Sequence, residues 1–202
     1  MTTSMRVGVL GGRFDPPHFG HLMVAQSAWQ HLSLDKLIFV PVGIPADRPA
    51  PQYDGDLRVA MVSAAISGRP EWSCSRTEID RGRPSYTAET LEEIANDYPG
   101  ADLWFVMGAD RLQGFSGWRT PERILSRARL AVISRDGIAP MMLEAIADSV
   151  APGRVDILHT EDLDASSTMV RERLAAGGAL NDLVPESVAR LLSAHKDSPD
   201  AR

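Results

Sequence analysis

The sequence predicts an α/β protein: a mostly parallel sheet with helices on both faces and a small helical pair at the C-terminus. Three observations lead there. Short apolar runs alternate with helix-like stretches along the chain, the pattern of βαβ crossovers. A glycine-rich turn, Gly11-Gly12, joins the first apolar run to the first helix-like stretch. The last two helix-like stretches have no strand after them, so they are expected to pack on each other.

The elements follow in order. Val7–Leu10 is apolar and has strand character. Phe19–Leu32 reads as the first helix, with His18 and His21 three residues apart at its entrance. Leu37–Val42 reads as a second strand. Gly43–Gly55 is proline-rich with little apolar content, and reads as a long mobile loop. Asp56–Ser67 is helix-like, and Trp72–Ile79 opens on an alternating pattern that predicts a strand. Thr87 stands as the N-cap of a helix over Thr87–Asn96. Leu103–Met107 is a strand, and Thr120-Pro121-Glu122 supplies a cap, an N1 proline and a first-turn acid for Pro121–Arg127. Leu130–Ser134 and Val155–Leu158 are strands on either side of a helix at Met141–Ser149. The C-terminal pair is Ser167–Ala176, stopped by Gly177-Gly178, and Pro185–His195. Residues 1–195 therefore form one domain and 196–202 a flexible tail.

Composition narrows the function classes. A net charge of −6 over 202 residues argues against binding a nucleic-acid polymer, which needs a basic footprint. A local positive cleft for a small anion is still compatible with that charge. The single cysteine, Cys74, excludes an internal disulfide and sits in a strand-like segment with nothing nearby to activate it. No apolar run reaches the ~18 residues of a membrane span. The expectation is a soluble, cytoplasmic protein that makes no membrane contact and is compatible with a homo-oligomer.

The chemistry concentrates in the turn after the first strand. Two glycines let a phosphate approach bare backbone, because no Cβ blocks it. The free N–H groups of the helix start attract an anion. His18 and His21 share one helical face and add ring donors. In a parallel sheet, ligands gather beyond the carboxyl ends of the strands, where this turn lies. The spacing departs from the G-x-G-x-x-G pattern of dinucleotide-binding turns, and no Gly-Lys-Ser/Thr ending of a P-loop follows. His18-x-x-His21 also lacks the spacing of a helical zinc pair, so no protein metal site is predicted. Late in the chain, Ser166-Ser167-Thr168 opens a helix and Arg171 sits one turn in, able to reach a phosphate bidentately. Asp110 follows the strand Leu103–Met107, at a position from which a carboxylate can accept from ribose hydroxyls or cap the next helix. Trp118, in a Gly/Ser-rich loop, can cover the core or stack on a flat heteroaromatic ring.

The string Gly11-Gly12-x-Phe14-Asp15-Pro16-x-His18-x-Gly20-His21 resembles the signature of the HxGH nucleotidyltransferase superfamily. With Asp110, Trp118, Tyr86-Thr87 and Ser166-Ser167-Thr168-x-x-Arg171, the chain is similar to the bacterial nicotinate-nucleotide adenylyltransferase family from about Val7 to its last helix. The resemblance implies a Rossmann-like fold. It also implies transfer of the adenylyl group of ATP to nicotinate mononucleotide, giving deamido-NAD and pyrophosphate in NAD biosynthesis. It assigns His18, His21 and Arg171 to catalysis, and Gly11, Gly12, Arg13, Phe14, Ser167, Thr168 and Arg48 to ATP and its phosphates. Asp110, Trp118, Thr87 and Arg135 then hold the mononucleotide, and Mg²⁺ arrives on the ATP phosphates. Arg13 stands where this turn usually carries threonine, and Arg48 where relatives often have lysine. Two further readings remain open: an enzyme using nicotinamide mononucleotide, alone or alongside nicotinate mononucleotide, and a nucleotide-binding relative impaired by Arg13. A pantetheine-phosphate adenylyltransferase shares the histidine turn but fits the Asp110, Trp118 and Tyr86-Thr87 segments poorly.

Overall fold

A computed structural model describes residues 4–46, 48–134, 139–160 and 164–196. Six strands form one parallel sheet in the order β4-β2-β1-β6-β7-β8. These are β1 (Arg6–Gly12), β2 (Lys36–Pro41), β4 (Trp72–Cys74), β6 (Asp102–Gly108), β7 (Ala128–Ser134) and β8 (Val155–His159). A second, two-stranded ladder pairs β3 (Ile44–Pro45) with β5 (Pro84–Ser85). The helices are α1 (Phe19–His31), α2 (Gly55–Ala65), α3 (Thr77–Asp80), α4 (Thr87–Asp97), α5 (Ala109–Leu112), α6 (Pro121–Arg127), α7 (Pro140–Val150), α8 (Ser167–Ala175) and α9 (Glu186–Lys196). The predicted α/β fold is the observed one.

The period of two along each strand divides the core. Val7, Val9, Ile38, Val40, Phe105 and Val132 face α4, α6 and α7 through Leu91, Ile124 and Leu143. Leu10, Leu37, Phe39, Val106 and Ile133 face α1 and α2 through Val24, Ala28 and Val62. A third cluster joins Met61 of α2 to Val170 of α8 and Val188 and Leu192 of α9. The two C-terminal helices share this cluster with α2, which joins them to the sheet domain.

Local chemistry sets the helix ends. Asp54 caps α2 by accepting from Leu57 N at 2.8 Å, and Ser166 caps α8 by accepting from Met169 N at 3.2 Å. After α8, Gly177 takes φ +72°, Gly177 N bonds Leu174 O and Gly178 N bonds Arg173 O, so the predicted Gly-Gly stop is a Schellman motif. One predicted cap is corrected: Tyr86, not Thr87, occupies the N-cap of α4. Thr120 holds the predicted N-cap position of α6 ahead of Pro121, in a left-handed conformation, but its hydroxyl donates to Arg119 O rather than accepting from the helix.

Two segments differ from expectation. The predicted strand Trp72–Ile79 stops at Cys74, because Ser75 accepts from Thr77 N at 3.2 Å and turns the chain into α3. Gly43–Gly55 is tethered rather than free: β3 pairs with β5, and Gln52 N and Tyr53 N each bond the Asp15 carboxylate at 2.9 Å. Lys196 closes α9 instead of opening a tail, while 197–202 lie outside the described residues. Among the described residues, no helix is long and apolar enough to cross a membrane.

Candidate active site

The sheet order reverses at β1, which pairs with β2 on one side and β6 on the other. The carboxyl ends of β1 and β6, Gly12 and Gly108, therefore flank the crevice where parallel sheets bind ligands. A cavity of about 230 Å³ opens there. Gly11, Gly12, Arg13, Arg48, Thr87 and Trp118 line it, with Gly108 at its far side. These six residues, spread from 11 to 118 in sequence, meet at one place.

From Gly12 the chain turns through Phe14 into α1. Phe14 has φ +47°, rare for a large side chain. Its buried ring packs on Gly12 and lies 4.9 Å, centroid to centroid, from the ring of His21. The Phe14 side chain thus packs against the His21 imidazole, and the whole residue is buried. His18, at the N-cap of α1, donates its backbone N–H to Nδ1 of His21 at 3.2 Å. Accepting at Nδ1 puts the proton of neutral His21 on Nε2. His21 is thus set up as an Nε2–H donor without needing a positive charge. The two imidazoles lie 3.8 Å apart between centroids. Gly20 keeps this junction uncrowded: a Cβ there would stand 3.0 Å from the His18 ring and 3.3 Å from Ala165 O, tight contacts that those neighbours would have to relieve.

Asp15 organises the rest. It is 1% exposed. One carboxylate oxygen accepts from Tyr53 N; the other accepts from Gln52 N and from Arg13 Nη2 at 3.2 Å. Arg171 Nη1 lies 3.7 Å from that second oxygen and donates to the Asp15 main-chain carbonyl. Ser167 Oγ donates to Pro16 O at 2.9 Å, and Arg171 Nη2 approaches Thr168 Oγ1 at 3.2 Å. The start of α8 is therefore clamped onto the histidine turn, and a guanidinium of five donors spends two on positioning.

At the start of α2, Arg58 fits in sequence either a recurring arginine of the resembling family or a helix-surface charge. It is 2% exposed, donating from Nε to Tyr53 O and from Nη1 to Arg13 O, both at 3.0 Å. Burial pulls its pKa below the usual guanidinium value. Sequence reasoning missed Glu78. Its carboxylate lines the cavity, accepts from Thr90 Oγ1 at 2.7 Å, and is held above the ordinary carboxylate range mainly by burial. Burial likewise pushes the Cys74 thiol up to about 11, which agrees with an inert strand residue.

Asp110 opens α5, with its carboxylate folded against Gly108 at the cavity edge. Arg135 lies outside the described residues. Arg13 turns its head toward Asp15 and Ala50 O at 3.1 Å, away from full solvent and already partly neutralised. Arg13→Thr is expected to change turnover by less than about fivefold, the kinetic equivalent of the ~1 kcal/mol ceiling of a part-exposed pair. Steady-state rates check this; a hundredfold loss would place Arg13 directly on the reacting phosphates.

The chain is similar to known proteins in sequence and in fold. The cytidylyltransferase-like family profile matches residues 9–173. A Methylibium petroleiphilum protein named "Probable nicotinate-nucleotide adenylyltransferase" is 36% identical over 192 residues, covering 95% of this chain and 90% of that one. A Dehalococcoides mccartyi protein of the same name is 37% identical over 200 residues, with 95% and 96% covered. In fold, the chain is similar to a Plasmodium falciparum nicotinic acid mononucleotide adenylyltransferase complexed with NaAD, at a TM-score of 0.75 and 16% identity, with 96% and 97% covered.

Proposed function

We propose that this chain, which belongs to the cytidylyltransferase-like family and within it to the nicotinate-nucleotide adenylyltransferases, joins ATP to nicotinate mononucleotide in the crevice between β1 and β6. It is a nucleotidyltransferase of NAD biosynthesis. The observation that carries the mechanism is the clamp at Asp15, which brings the histidine turn and the start of α8 together although they lie about 150 residues apart in sequence.

The mononucleotide's phosphate attacks the α-phosphorus of ATP. A new P–O bond forms, the bond from the α-phosphorus to the α,β-bridging oxygen breaks, and pyrophosphate leaves with that electron pair. A phosphate monoester has its second pKa near ~6, so the attacking group is mostly dianionic at neutral pH and needs no general base. The difficulty is repulsion between anions, and the residues answer it as positioned donors. Gly11 and Gly12 offer backbone amides beside the cavity, and His21 offers Nε2–H. His18 supplies a second ring at the same helix start. Ser167, Thr168 and Arg171 meet the pyrophosphate as it departs, and Arg48 lies at the cavity rim.

Among the described residues, no three His, Cys, Asp or Glu side chains gather as a metal site. The donors around the crevice are amides, imidazoles and guanidiniums, which suit anions rather than cations. A divalent cation fits as a companion of the ATP phosphates, and Mg²⁺ is our choice; it supplies charge neutralisation there.

On the mononucleotide side, Trp118 offers its indole face, Asp110 a carboxylate for the ribose, and the first turn of α4 at Thr87 its N–H groups. The test is a side-by-side assay of pyrophosphate release with ATP and either nicotinate or nicotinamide mononucleotide. Nicotinate mononucleotide is expected to be the better acceptor. Faster turnover of nicotinamide mononucleotide would replace this reading with its rival, and no release with either acceptor would leave a nucleotide-binding protein without this activity.

A further inference from the structure

A second cavity, of about 320 Å³, adjoins the first and shares Ser85, Thr87, Arg111 and Trp118 with it. Its charge is one-sided. Arg111 and Arg119 line it, and no acidic side chain does among the described residues. Nearby arginines are matched to carboxylates: Arg81 to Glu93 at 3.0 Å, Arg83 to Glu89 at 2.8 Å, Arg123 to Glu92 at 2.7 Å. Arg111 instead lies over the Trp118 ring, 5.4 Å from its centroid, and Arg119 lies over Tyr86 at 4.1 Å. Half-buried Arg111 belongs to both cavities, beside the first turn of α4. Ser85 adds a buried hydroxyl with no hydrogen-bond partner.

We infer that Arg111 is a specificity-determining residue that selects a pyridine ring bearing a carboxylate over one bearing a carboxamide. The inference rests on the proposed function, in which Trp118 receives the pyridine ring. A ring bonded to ribose through its nitrogen is a cation. It is attracted to an indole face, but a guanidinium over the same indole repels it. A carboxylate on the ring reverses that balance by pairing with the guanidinium through charge-assisted hydrogen bonds. A neutral carboxamide leaves the repulsion in place. One residue thus rewards the right ligand and penalises the wrong one. The free N–H groups at the start of α4 act in the same direction.

The experiment compares wild type, Arg111→Met and Arg111→Lys, measuring kcat/KM for nicotinate and nicotinamide mononucleotides at saturating ATP. Methionine keeps the length and the contact with the ring but removes the charge. In Arg111→Met, the nicotinate-to-nicotinamide ratio of kcat/KM is expected to fall ~10-fold or more, the scale of one charged hydrogen bond. The KM for ATP is expected to stay unchanged, and Arg111→Lys to recover most of the ratio. An unchanged ratio, or an equal loss for both acceptors, with an active wild type overturns the role of Arg111 alone. A wild type inactive with both acceptors overturns the proposed function beneath it as well.

Discussion

His21→Ala is expected to lower turnover by about 10²-fold or more, the scale of losing one donor aimed at developing negative charge. The reason lies in how the ring is held. Its Nδ1 is occupied by the His18 backbone N–H, so Nε2–H is committed to whatever lies in front of it. Phe14, buried beneath, prevents the ring from retreating. Alanine removes the donor and leaves the His18 amide to water at the helix start. Pyrophosphate release with saturating ATP and nicotinate mononucleotide reads the effect, with thermal unfolding as the control for folding. A turnover within about threefold of wild type in a folded variant would remove His21 from the chemistry.

Asp15→Ala is the substitution with the largest expected effect on stability. The residue is enclosed, and its carboxylate serves two backbone amides and the Arg13 guanidinium, with Arg171 at 3.7 Å. Removing it strands two N–H groups and leaves Arg13 and Arg171 without their shared counter-charge. Breaking such a buried set by deleting one partner costs about 3–5 kcal/mol, which for a chain of this size is a fall of roughly 6–20 °C in Tm. Activity falls with it, because the turn whose carbonyls receive Ser167 and Arg171 loses its own tie to Gln52 and Tyr53. Asp15→Asn keeps one acceptor oxygen and is expected to be milder on both counts. A Tm for Asp15→Ala within about 2 °C of wild type would show that the clamp does not hold the site together.

The comparison between sequence and structure divides along the range of the interactions. Short apolar runs announced β1, β2, β6, β7 and β8, because burial of a parallel sheet on both faces leaves nearly every residue of a strand apolar. Pro121 at N1 and Gly177-Gly178 were readable for the same reason: backbone conformation is imposed by the local residue. The predicted Gly11-Gly12 turn is corrected: both glycines close β1 in register with Val40 and Pro41, and the left-handed residue of the turn is Phe14. Trp72–Ile79 misled because an alternating start does not reveal that Ser75 will bond Thr77 N and turn the chain.

The site was legible as a set of motifs and illegible as an arrangement. Asp15 stood in the quoted motif, but its carboxylate partners lie 37 and 38 residues away, and its carbonyl bonds a guanidinium 156 residues on. Arg58 fitted a surface charge as well as a family arginine, and only its enclosure, with bonds to Tyr53 O and Arg13 O, makes it a buried brace. Arg111 drew no notice because nothing in a short Gly-Ala-Asp-Arg string says that its head will rest over Trp118.

From the chain alone come the succession of the main strands and helices, the histidine-bearing junction after the first strand and the late Ser-Thr-x-x-Arg element, since each depends on side-chain size, polarity and backbone freedom within a few neighbouring residues. Folding in three dimensions settles the rest: which guanidiniums meet a carboxylate, which are left facing a cavity, and which nitrogen of His21 carries its proton. Those outcomes are electrostatic, and electrostatics depends on distance and burial in space rather than on separation along the sequence.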